Sequence, residues 1–347
     1  MDLKLALKKS TRILLRKRYH YISNSNAHKV LREIEKNSGK LSLTLKKQAD
    51  DYAKDVLGWK GYAPWLYVYS AIQEEFKEGW VPDNFYRDKV IDAIQGDYGK
   101  VSFLKPLSNR VFSASLGPDI ASYINGHWFD SSLQAIDKQK ISSLLFARTS
   151  KIVIKLDQSY QGRGIFVLEA SQFNINHVEA MGNFVVQHYI QQHDFFNGLV
   201  EGSVATIRLT SVIDKQHLIS LRSAYLRLGR NTDKYVKSES HIRVPINSTS
   251  GALAQTGYFA NWKVTEEHPD SKSTFLGKHI PNFQDCVERV KQLHSTMPMV
   301  GAIGWDVVVD AQGLTQIMEW NGYSNDIKFS EATQGPCFKD LNWEALR

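Results

Sequence analysis

Two carboxylates and an amide near the end of the chain, Asp306, Glu319 and Asn321, offer the oxygen donors that a hard cation such as Mg²⁺ prefers. They lie in a stretch that predicts a hairpin over residues 304–321. β-Branched residues run up to Asp310-Ala-Gln-Gly313, and apolar residues alternate again after it. Because the side chains of a strand alternate between its two faces, Glu319 and Asn321 share one face.

The register of this hairpin decides whether Asp306 joins them. If the loop is four residues long, Val309 pairs with Leu314 and Asp306 faces Ile317. Glu319 then lies diagonally across from Asp306 on the same face, roughly 7–8 Å away at the backbone, which lets two carboxylates share a cation. We therefore predict a Mg²⁺ site. A one-residue slip would move Asp306 to the other face, and a solvated polar face is the alternative.

A second stretch with binding chemistry, residues 151–169, predicts a strand, a loop and another strand. Lys155 lies in the first strand, and the loop holds Gly162 and Gly164. Glycines let backbone N–H groups approach an anion closely, and a lysine adds a point charge. The pattern is typical of phosphate binding or, equally, of a hairpin with a glycine bulge. It is not a Walker loop, since the sequence contains no Gly-x-x-x-x-Gly-Lys-Ser/Thr.

Arg208 lies inside an apolar, strand-like run, and Arg222 and Arg227 occur in the next such run. A buried arginine needs an anionic partner, so Arg208 predicts either a protein carboxylate or a ligand phosphate beside it. Patterns for other chemistries are missing from the sequence. It has no Gly-x-Ser-x-Gly, no His-Glu-x-x-His and no strand-linked Gly-x-Gly-x-x-Gly.

Composition and charge limit the classes of protein to which this chain can belong. The 347 residues are 42% hydrophobic and 23% charged, which is typical of a folded globular chain. Cys286 and Cys337 lie far apart, which argues against a disulfide scaffold or zinc site and suits a reducing compartment. Most of the net charge of +7 comes from residues 1–20, which hold seven Lys or Arg and one acid. The other 36 basic and 35 acidic residues nearly cancel, so no nucleic-acid partner is indicated.

Residues 1–20 predict a basic helix with Leu3, Leu7 and Leu14 at helical spacing. It lacks the continuous apolar core of a signal peptide, and no run approaches the roughly 18 apolar residues of a membrane span. The helix either rests on an anionic membrane surface or is an ordinary basic surface helix. We expect a cytoplasmic protein, freely soluble or peripheral at the inner face of the membrane.

Five motifs follow one another along the chain: Lys105, Lys155 with its glycine loop, Val185-Val-Gln-His-Tyr-Ile190, Arg208, and Asp306 with Glu319-x-Asn321. Taken in this order, they resemble the motifs of the ATP-grasp superfamily, in its sugar-transfer-associated branch, which is found with polysaccharide biosynthesis genes. The resemblance covers about residues 60–335. It implies an α+β, ATP-grasp fold in which two α+β subdomains, 101–190 and 191–347, grip ATP between antiparallel sheets. The helical periodicity of residues 1–100 separately predicts a helical region before them.

The resemblance also implies a role for each matching residue. The ATP phosphates would contact Lys105 and Lys155, under a flap that includes Gly162 and Gly164. The adenine pocket would be lined by Gln187, His188, Tyr189 and Ile190, and the ribose would contact Asp194. The transferred phosphoryl group would be steadied by Arg208 together with Lys155. One or two Mg²⁺ ions, for which Mn²⁺ can substitute, would be held by Asp306, Glu319 and Asn321.

The activity that the resemblance implies is ATP-dependent ligation of a small carboxylate, such as a uronic or amino-sugar carboxylate, to an amine. Two alternatives stay open: a kinase that phosphorylates a sugar hydroxyl, and a non-catalytic nucleotide-binding component of a glycan assembly complex. Three departures from the family pattern matter. Gln187 stands where many members have Glu, and Gly322-Tyr-Ser replaces the commoner Pro-Gly-type ending. The first hundred residues do not resemble the usual leading α/β domain.

Overall fold

Helices occupy the first part of the chain and strands most of the remainder, as the sequence pattern predicts. The computed structural model describes residues 3–112, 116–157, 164–231, 235–236, 240–323 and 325–347, with side chains from residue 10 onward. Contacts divide the chain into a helical unit (Met1–Gly96, Asn261–Lys263 and Asp326–Arg347) and a sheet unit (Asp97–Ala260 and Val264–Asn325). The three-part division expected from the sequence stays a prediction.

The regular elements have the following bounds. The α-helices are α1 (Leu3–Ser38), α2 (Leu43–Asp51), α3 (Ala63–Gln73), α4 (Asp83–Phe85), α5 (Ile91–Ile94), α6 (Ser108–Val111), α7 (Ile141–Leu145), α8 (Ile175–Glu179), α9 (Asp194–Asn197), α10 (Phe283–Ser295) and α11 (Lys328–Gln334). The strands are β1 (Asp119–Ile124), β2 (His127–Asp130), β3 (Lys151–Leu156), β4 (Ile165–Glu169), β5 (Phe184–His188), β6 (Thr206–Ile213), β7 (Ile219–Leu228), β8 (Ile242–Ile246), β9 (Gly257–Phe259), β10 (Val264–Thr265), β11 (Ala302–Val309) and β12 (Thr315–Asn321).

The helical unit is held by buried aromatic side chains and one buried acid. Trp65 of α3 is buried and donates from its indole N–H to Ser23 Oγ on α1 at 2.9 Å. The fully buried carboxylate of Glu331 on α11 accepts the backbone N–H groups of Val81 and Cys337, each at 2.7 Å. Among the described residues, no helix combines the length and apolar content needed to cross a bilayer.

The described residues of the sheet unit form two antiparallel sheets. The order of the five-stranded sheet is β2-β1-β5-β3-β4, and that of the seven-stranded sheet is β10-β9-β8-β7-β6-β11-β12. The strands predicted on either side of the glycine loop are confirmed as β3 and β4. Asn125 and Gly126, both with positive φ, form the tight β1–β2 turn that an Asn-Gly pair favours.

One face of the seven-stranded sheet is apolar and packs on α10. Ile207, Leu226 and Val244 alternate along their strands and are buried with Val287 and Val290 of the helix. Burial of each such side chain stabilises the fold by about 1.5–3 kcal/mol. Because side chains alternate along a strand, the residues between these apolar positions lie on the opposite face, which is polar.

Candidate functional site

The β11–β12 hairpin brings two carboxylates directly opposite each other. Asp306 pairs with Glu319 across the strands, so both lie on the same face, as predicted. The predicted register is wrong in detail, however. Val309 pairs with Thr315 rather than with Leu314, and Met318 is an extra residue that forms a β-bulge.

Two local features set this register, and neither is visible in an alternating pattern. Oδ1 of Asp310 accepts the backbone N–H groups of Gln312 at 3.0 Å and Leu314 at 2.9 Å, which closes a loop one residue longer than predicted. Gly313 has a φ of +81°, a left-handed conformation that glycine adopts without strain. The bulge at Met318 then restores the alignment of the two acids.

Asp306 is bound by two arginines. Arg208 donates to it from Nε at 2.7 Å and from Nη2 at 3.2 Å, and Arg227 Nη2 lies 2.7 Å from Oδ2. Burial opposes ionisation, but the two guanidinium groups hold the pKa of Asp306 below its usual value. Of the two partners that the sequence allowed for Arg208, this structure shows the protein carboxylate.

Glu319 and Asn321 complete the oxygen donors on this face. The Glu319 side chain is 31% exposed and lies 3.7 Å from Lys105 Nζ. Asn321 uses its Nδ2 to bond the Gly304 carbonyl at 3.3 Å, so its Oδ1 is not the atom engaged there. A carboxylate has about four lone-pair positions, and Asp306 uses three of them for arginine N–H groups. One position on Asp306 is thus left for a cation, beside the carboxylate of Glu319. This fits Mg²⁺, which commonly takes one or two carboxylates and completes its shell with phosphate and water oxygens.

The bulge links this hairpin to the five-stranded sheet. Lys155 Nζ donates to the Met318 carbonyl at 3.1 Å, and Gln187 Nε2 approaches the same oxygen at 3.4 Å. Burial lowers the pKa of Lys155, whereas the nearby Glu319, Asp119 and Asp306 favour its charged form. A lysine that is only 4% exposed thus stands beside the acids of the hairpin.

Gln187 has a buried acid as its partner. It pairs with Asp119 across β1 and β5 and donates from Nε2 to Oδ1 of Asp119 at 2.7 Å. Burial raises the pKa of Asp119, although the Gln187 amide and the Lys155 charge oppose the shift. The glutamine that departs from the family pattern is therefore matched by an acid on the neighbouring strand.

These groups line a small cavity. Four of the predicted residues are in its wall: Lys105, Lys155, Gln187 and Glu319. Asp119 is there too, and the volume of about 20 Å³ is enough for a water molecule.

Other predicted residues lie outside the wall of that cavity. His188 is the last residue of β5, and Tyr189 and Ile190 follow it; all three are half-buried. Asp194 is exposed at the start of α9. Gly164 precedes β4, and its carbonyl accepts the Leu156 N–H at 2.9 Å. Gly162 lies outside the described residues. The roles predicted for this set stay predictions.

Three residues near the site were not predicted as part of it. Asp119 is an acid at the start of a strand, and Arg227 stood out only as an arginine within an apolar run. Asn325 is 5% exposed and follows the hairpin. A Cβ at Gly304 would lie 2.3 Å from Asn325 Oδ1 and 3.0 Å from Arg208 Nη1, so only glycine leaves room for both. Residue type alone gave no signal for Asn325.

The sequence that carries these groups matches a family of known proteins. The family described as sugar-transfer associated ATP-grasp matches residues 122–341. The chain belongs to the sugar-transfer associated ATP-grasp family. Its two antiparallel sheets with flanking helices accordingly form an ATP-grasp fold of the α+β class, preceded by the predicted helical region. No protein of curated function matches the sequence significantly.

Solved structures of similar fold have low sequence identity to this ATP-grasp chain. N5-carboxyaminoimidazole synthetase from Staphylococcus aureus is 9% identical with a TM-score of 0.43, over 73% of this chain and 53% of that one. The biotin carboxylase domain of 2-oxoglutarate carboxylase from Hydrogenobacter thermophilus, complexed with MgADP, is 13% identical with a TM-score of 0.42, over 70% and 44%. The ATP-grasp ligase PsnB is 12% identical with a TM-score of 0.41, over 73% and 62%. The chain thus spans roughly half the length of such structures.

Proposed function

We propose that this chain is an ATP- and Mg²⁺-dependent ligase that joins a small carboxylate to an amine in the synthesis of a polysaccharide or glycoconjugate. The family supplies the ATP-grasp frame. The arrangement around the hairpin supports the chemistry. A buried Lys155 on one sheet bonds the bulge of the hairpin that carries Asp306 and Glu319 on the other, and this observation carries the proposal.

The proposed reaction has two steps. A carboxylate oxygen attacks the γ-phosphorus of ATP, the bond to the bridging oxygen breaks, and ADP leaves with that electron pair. The amine nitrogen then attacks the acyl carbon of the acyl phosphate, loses a proton and releases inorganic phosphate. Phosphoryl transfer needs positioning and charge neutralisation rather than a side-chain nucleophile.

Each side chain near the hairpin has a role in this proposal. Lys105 and Lys155 bind phosphate oxygens, which their charge and position beside Glu319 favour. Glu319, Asn321 and Asp306 would hold Mg²⁺, which when bound would neutralise charge on the phosphates. Arg208, which lies beside Asp306, would steady the transferred phosphoryl group.

Nucleotide binding by the full-length protein tests the site. In titrations of a non-hydrolysable ATP analogue with Mg²⁺, Lys155→Met should weaken binding by about tenfold or more, since it removes a charge-assisted hydrogen bond. Lys140→Met, the same change at an exposed lysine of the sheet unit, should leave the affinity unchanged. Equal affinities for wild type and Lys155→Met would contradict the proposed phosphate contact.

A product assay separates the ligase from its rivals. A ligase releases inorganic phosphate only when carboxylate and amine are both present. A kinase, the alternative on the same fold, would move phosphate to a sugar hydroxyl without an amine. A non-catalytic nucleotide-binding protein would bind ATP and form neither product.

We also infer that α1 contacts an anionic membrane surface. Leu14, Leu15 and Tyr21 are 68%, 59% and 77% exposed, and Lys17 and Arg18 between them are exposed as well. Apolar and basic side chains that share an exposed helix suit a surface of anionic lipids. Co-sedimentation with phosphatidylglycerol vesicles should exceed that with phosphatidylcholine vesicles and should fall when Lys17 and Arg18 are changed to Glu. Equal sedimentation with the two kinds of vesicle, or equal sedimentation of wild type and variant, would contradict this contact.

A further inference from the structure

A glutamine and an acid lie side by side in the wall of the cavity. Gln187 on β5 is the direct partner of Asp119 on β1, so both side chains are on the same face of the five-stranded sheet. Lys155 and Glu319 line the same cavity. The pair therefore belongs to the site in which we assign Lys155 to a phosphate oxygen, although the proposed chemistry gives Asp119 no task.

The nitrogen of the Gln187 amide is engaged within the protein. An amide nitrogen carries two N–H groups. Nε2 donates to Oδ1 of Asp119 at 2.7 Å and to the Met318 carbonyl oxygen at 3.4 Å. In the described part of the chain, both side-chain hydrogen bonds of Gln187 are thus made by Nε2. Its Oε1, which can only accept, is the group that the side chain can offer to a ligand.

The charge of Asp119 decides which way round this amide sits. A half-turn of the amide exchanges its oxygen and nitrogen, so the orientation is set by the neighbouring groups. An ionised carboxylate only accepts hydrogen bonds, and it therefore keeps the nitrogen on its own side. Burial raises the pKa of Asp119, but the charge of Lys155 and the bond from Gln187 favour the ionised form. The longer contact with Met318 adds a weaker preference for the same orientation.

The orientation of the amide determines which base it can bind. Adenine carries an exocyclic amino group, which donates, whereas guanine and hypoxanthine carry a carbonyl oxygen at the same ring position. An amide oxygen held towards the ligand accepts from the amino group. Against a carbonyl oxygen it leaves two acceptors facing each other without a hydrogen bond, which costs free energy in a buried site.

We propose that Asp119 is a positioning residue that selects the base of the nucleotide. It holds the Gln187 amide with Oε1 towards the ligand, so that this oxygen accepts from an amino group on the base and disfavours a base with a carbonyl oxygen there. Asp119 itself does not touch the nucleotide. This role rests on the proposed function, because it places the base beside the lysine that binds phosphate. It adds the residue by which one base is distinguished from another.

Calorimetric titration of the full-length protein in the presence of Mg²⁺ tests this role with two probes, the non-hydrolysable analogues of ATP and inosine triphosphate. The first base carries the amino group and the second the carbonyl oxygen. We expect wild type to bind the ATP analogue at least about tenfold more tightly, since a mismatch of about 1.4 kcal/mol corresponds to tenfold in affinity. The ratio of the two affinities is compared between variants, because damage to the fold lowers both.

Asp119→Asn changes only the donor and acceptor character of the side chain. An asparagine can donate as well as accept, so it no longer fixes the Gln187 amide, and the affinity ratio should fall at least about threefold. Adding Gln187→Glu should restore the ratio, because a carboxylate at this position can only accept. Asp285→Asn, the same change at an exposed acid of α10, should leave the ratio unchanged.

Thermal melts show whether each variant folds. If Asp119→Asn does not fold, Asp119→Ser takes its place, since a hydroxyl group also donates and accepts and should lower the ratio in the same way. An unchanged ratio in the folded variant would overturn the role of Asp119. A double variant as unselective as Asp119→Asn would overturn it as well.

The wild-type titrations keep this role apart from the proposed function. If neither analogue binds, the proposed function is contradicted and the role of Asp119 falls with it. If both analogues bind with equal affinity, nucleotide binding is supported and only the selection of the base is contradicted.

Discussion

Arg208 and Asp306 are direct partners on neighbouring strands, and the arginine binds both oxygens of the acid at 2.7 and 3.2 Å. Arg227 adds a third contact to the same carboxylate at 2.7 Å. In this conformation Asp306 is a structural anion, and in the proposed Mg²⁺ complex it is also a metal ligand.

The two acids of the hairpin should respond differently to substitution. Asp306→Ala leaves two arginines without their carboxylate, and loss of one partner of a buried ion pair typically lowers the free energy of unfolding by about 3–5 kcal/mol. Glu319→Ala removes a partly exposed acid and should lower it by less than about 1 kcal/mol, yet abolish ATP-dependent turnover. Urea denaturation and phosphate release measure the two effects. Full turnover in Glu319→Ala would rule out the metal role.

The Gln187–Asp119 pair predicts a compensating double variant. Gln187→Glu would set two buried carboxylates against each other at the position of a 2.7 Å hydrogen bond, so at pH 8 stability should fall by at least about 2 kcal/mol. Adding Asp119→Asn restores one acid and one amide and should recover most of the loss. Chemical denaturation of all four proteins gives the coupling energy. Additive effects of the two changes would show that the pair is not coupled.

Gly304 should not tolerate a side chain. A Cβ would stand 2.3 Å from Asn325 Oδ1 and 3.0 Å from Arg208 Nη1, so Gly304→Ala must displace one of them. We expect a loss of about 1–3 kcal/mol in the free energy of unfolding from overpacking. Gly126→Ala is a useful comparison, because nothing lies within 4 Å of its Cβ position and only its positive φ is strained. Urea denaturation measures both variants, and a Gly304→Ala protein as stable as wild type would show that no side chain has to move there.

Glu331 should make the protein less stable as the pH rises towards neutrality. Burial raises the pKa of Glu331 from 4.5 to about 7, although the N–H groups of Val81 and Cys337 oppose the shift. Between those values the folded state holds a proton that the unfolded state has lost, so the free energy of unfolding falls with pH. The decline should approach about 3 kcal/mol over the window.

Denaturation of wild type and Glu331→Gln from pH 4 to 8 isolates this contribution. The variant cannot titrate at position 331, so the difference between the two proteins should decline through pH 4.5–7 and then level off. Comparison is needed because His294, whose pKa burial lowers to about 4, contributes with the opposite sign. A constant difference over the whole range would mean that Glu331 is not protonated in the folded protein.

The sequence by itself determined the strands around the glycine loop, the hairpin, and the family to which the chain belongs. These rest on local signals, because alternation, turn residues and motif order are properties of neighbouring residues. The sequence also placed Asp306 and Glu319 on one face, since that conclusion survives when a longer loop is balanced by a bulge. That a bulge offsets the longer loop was not predictable, because the length of the loop depends on the Asp310 side chain that closes it.

Only the tertiary structure decided which charged groups meet. Lys155, Gln187 and Met318 come from distant parts of the chain and converge because one sheet packs beside the other within the sheet unit. Arg227 and Asn325 reach the face of the hairpin through strand order and tertiary packing, which no local pattern encodes. The physical reason is that a single charged or amide side chain creates no periodic pattern in the sequence. Its partner is chosen by packing, which depends on the whole unit.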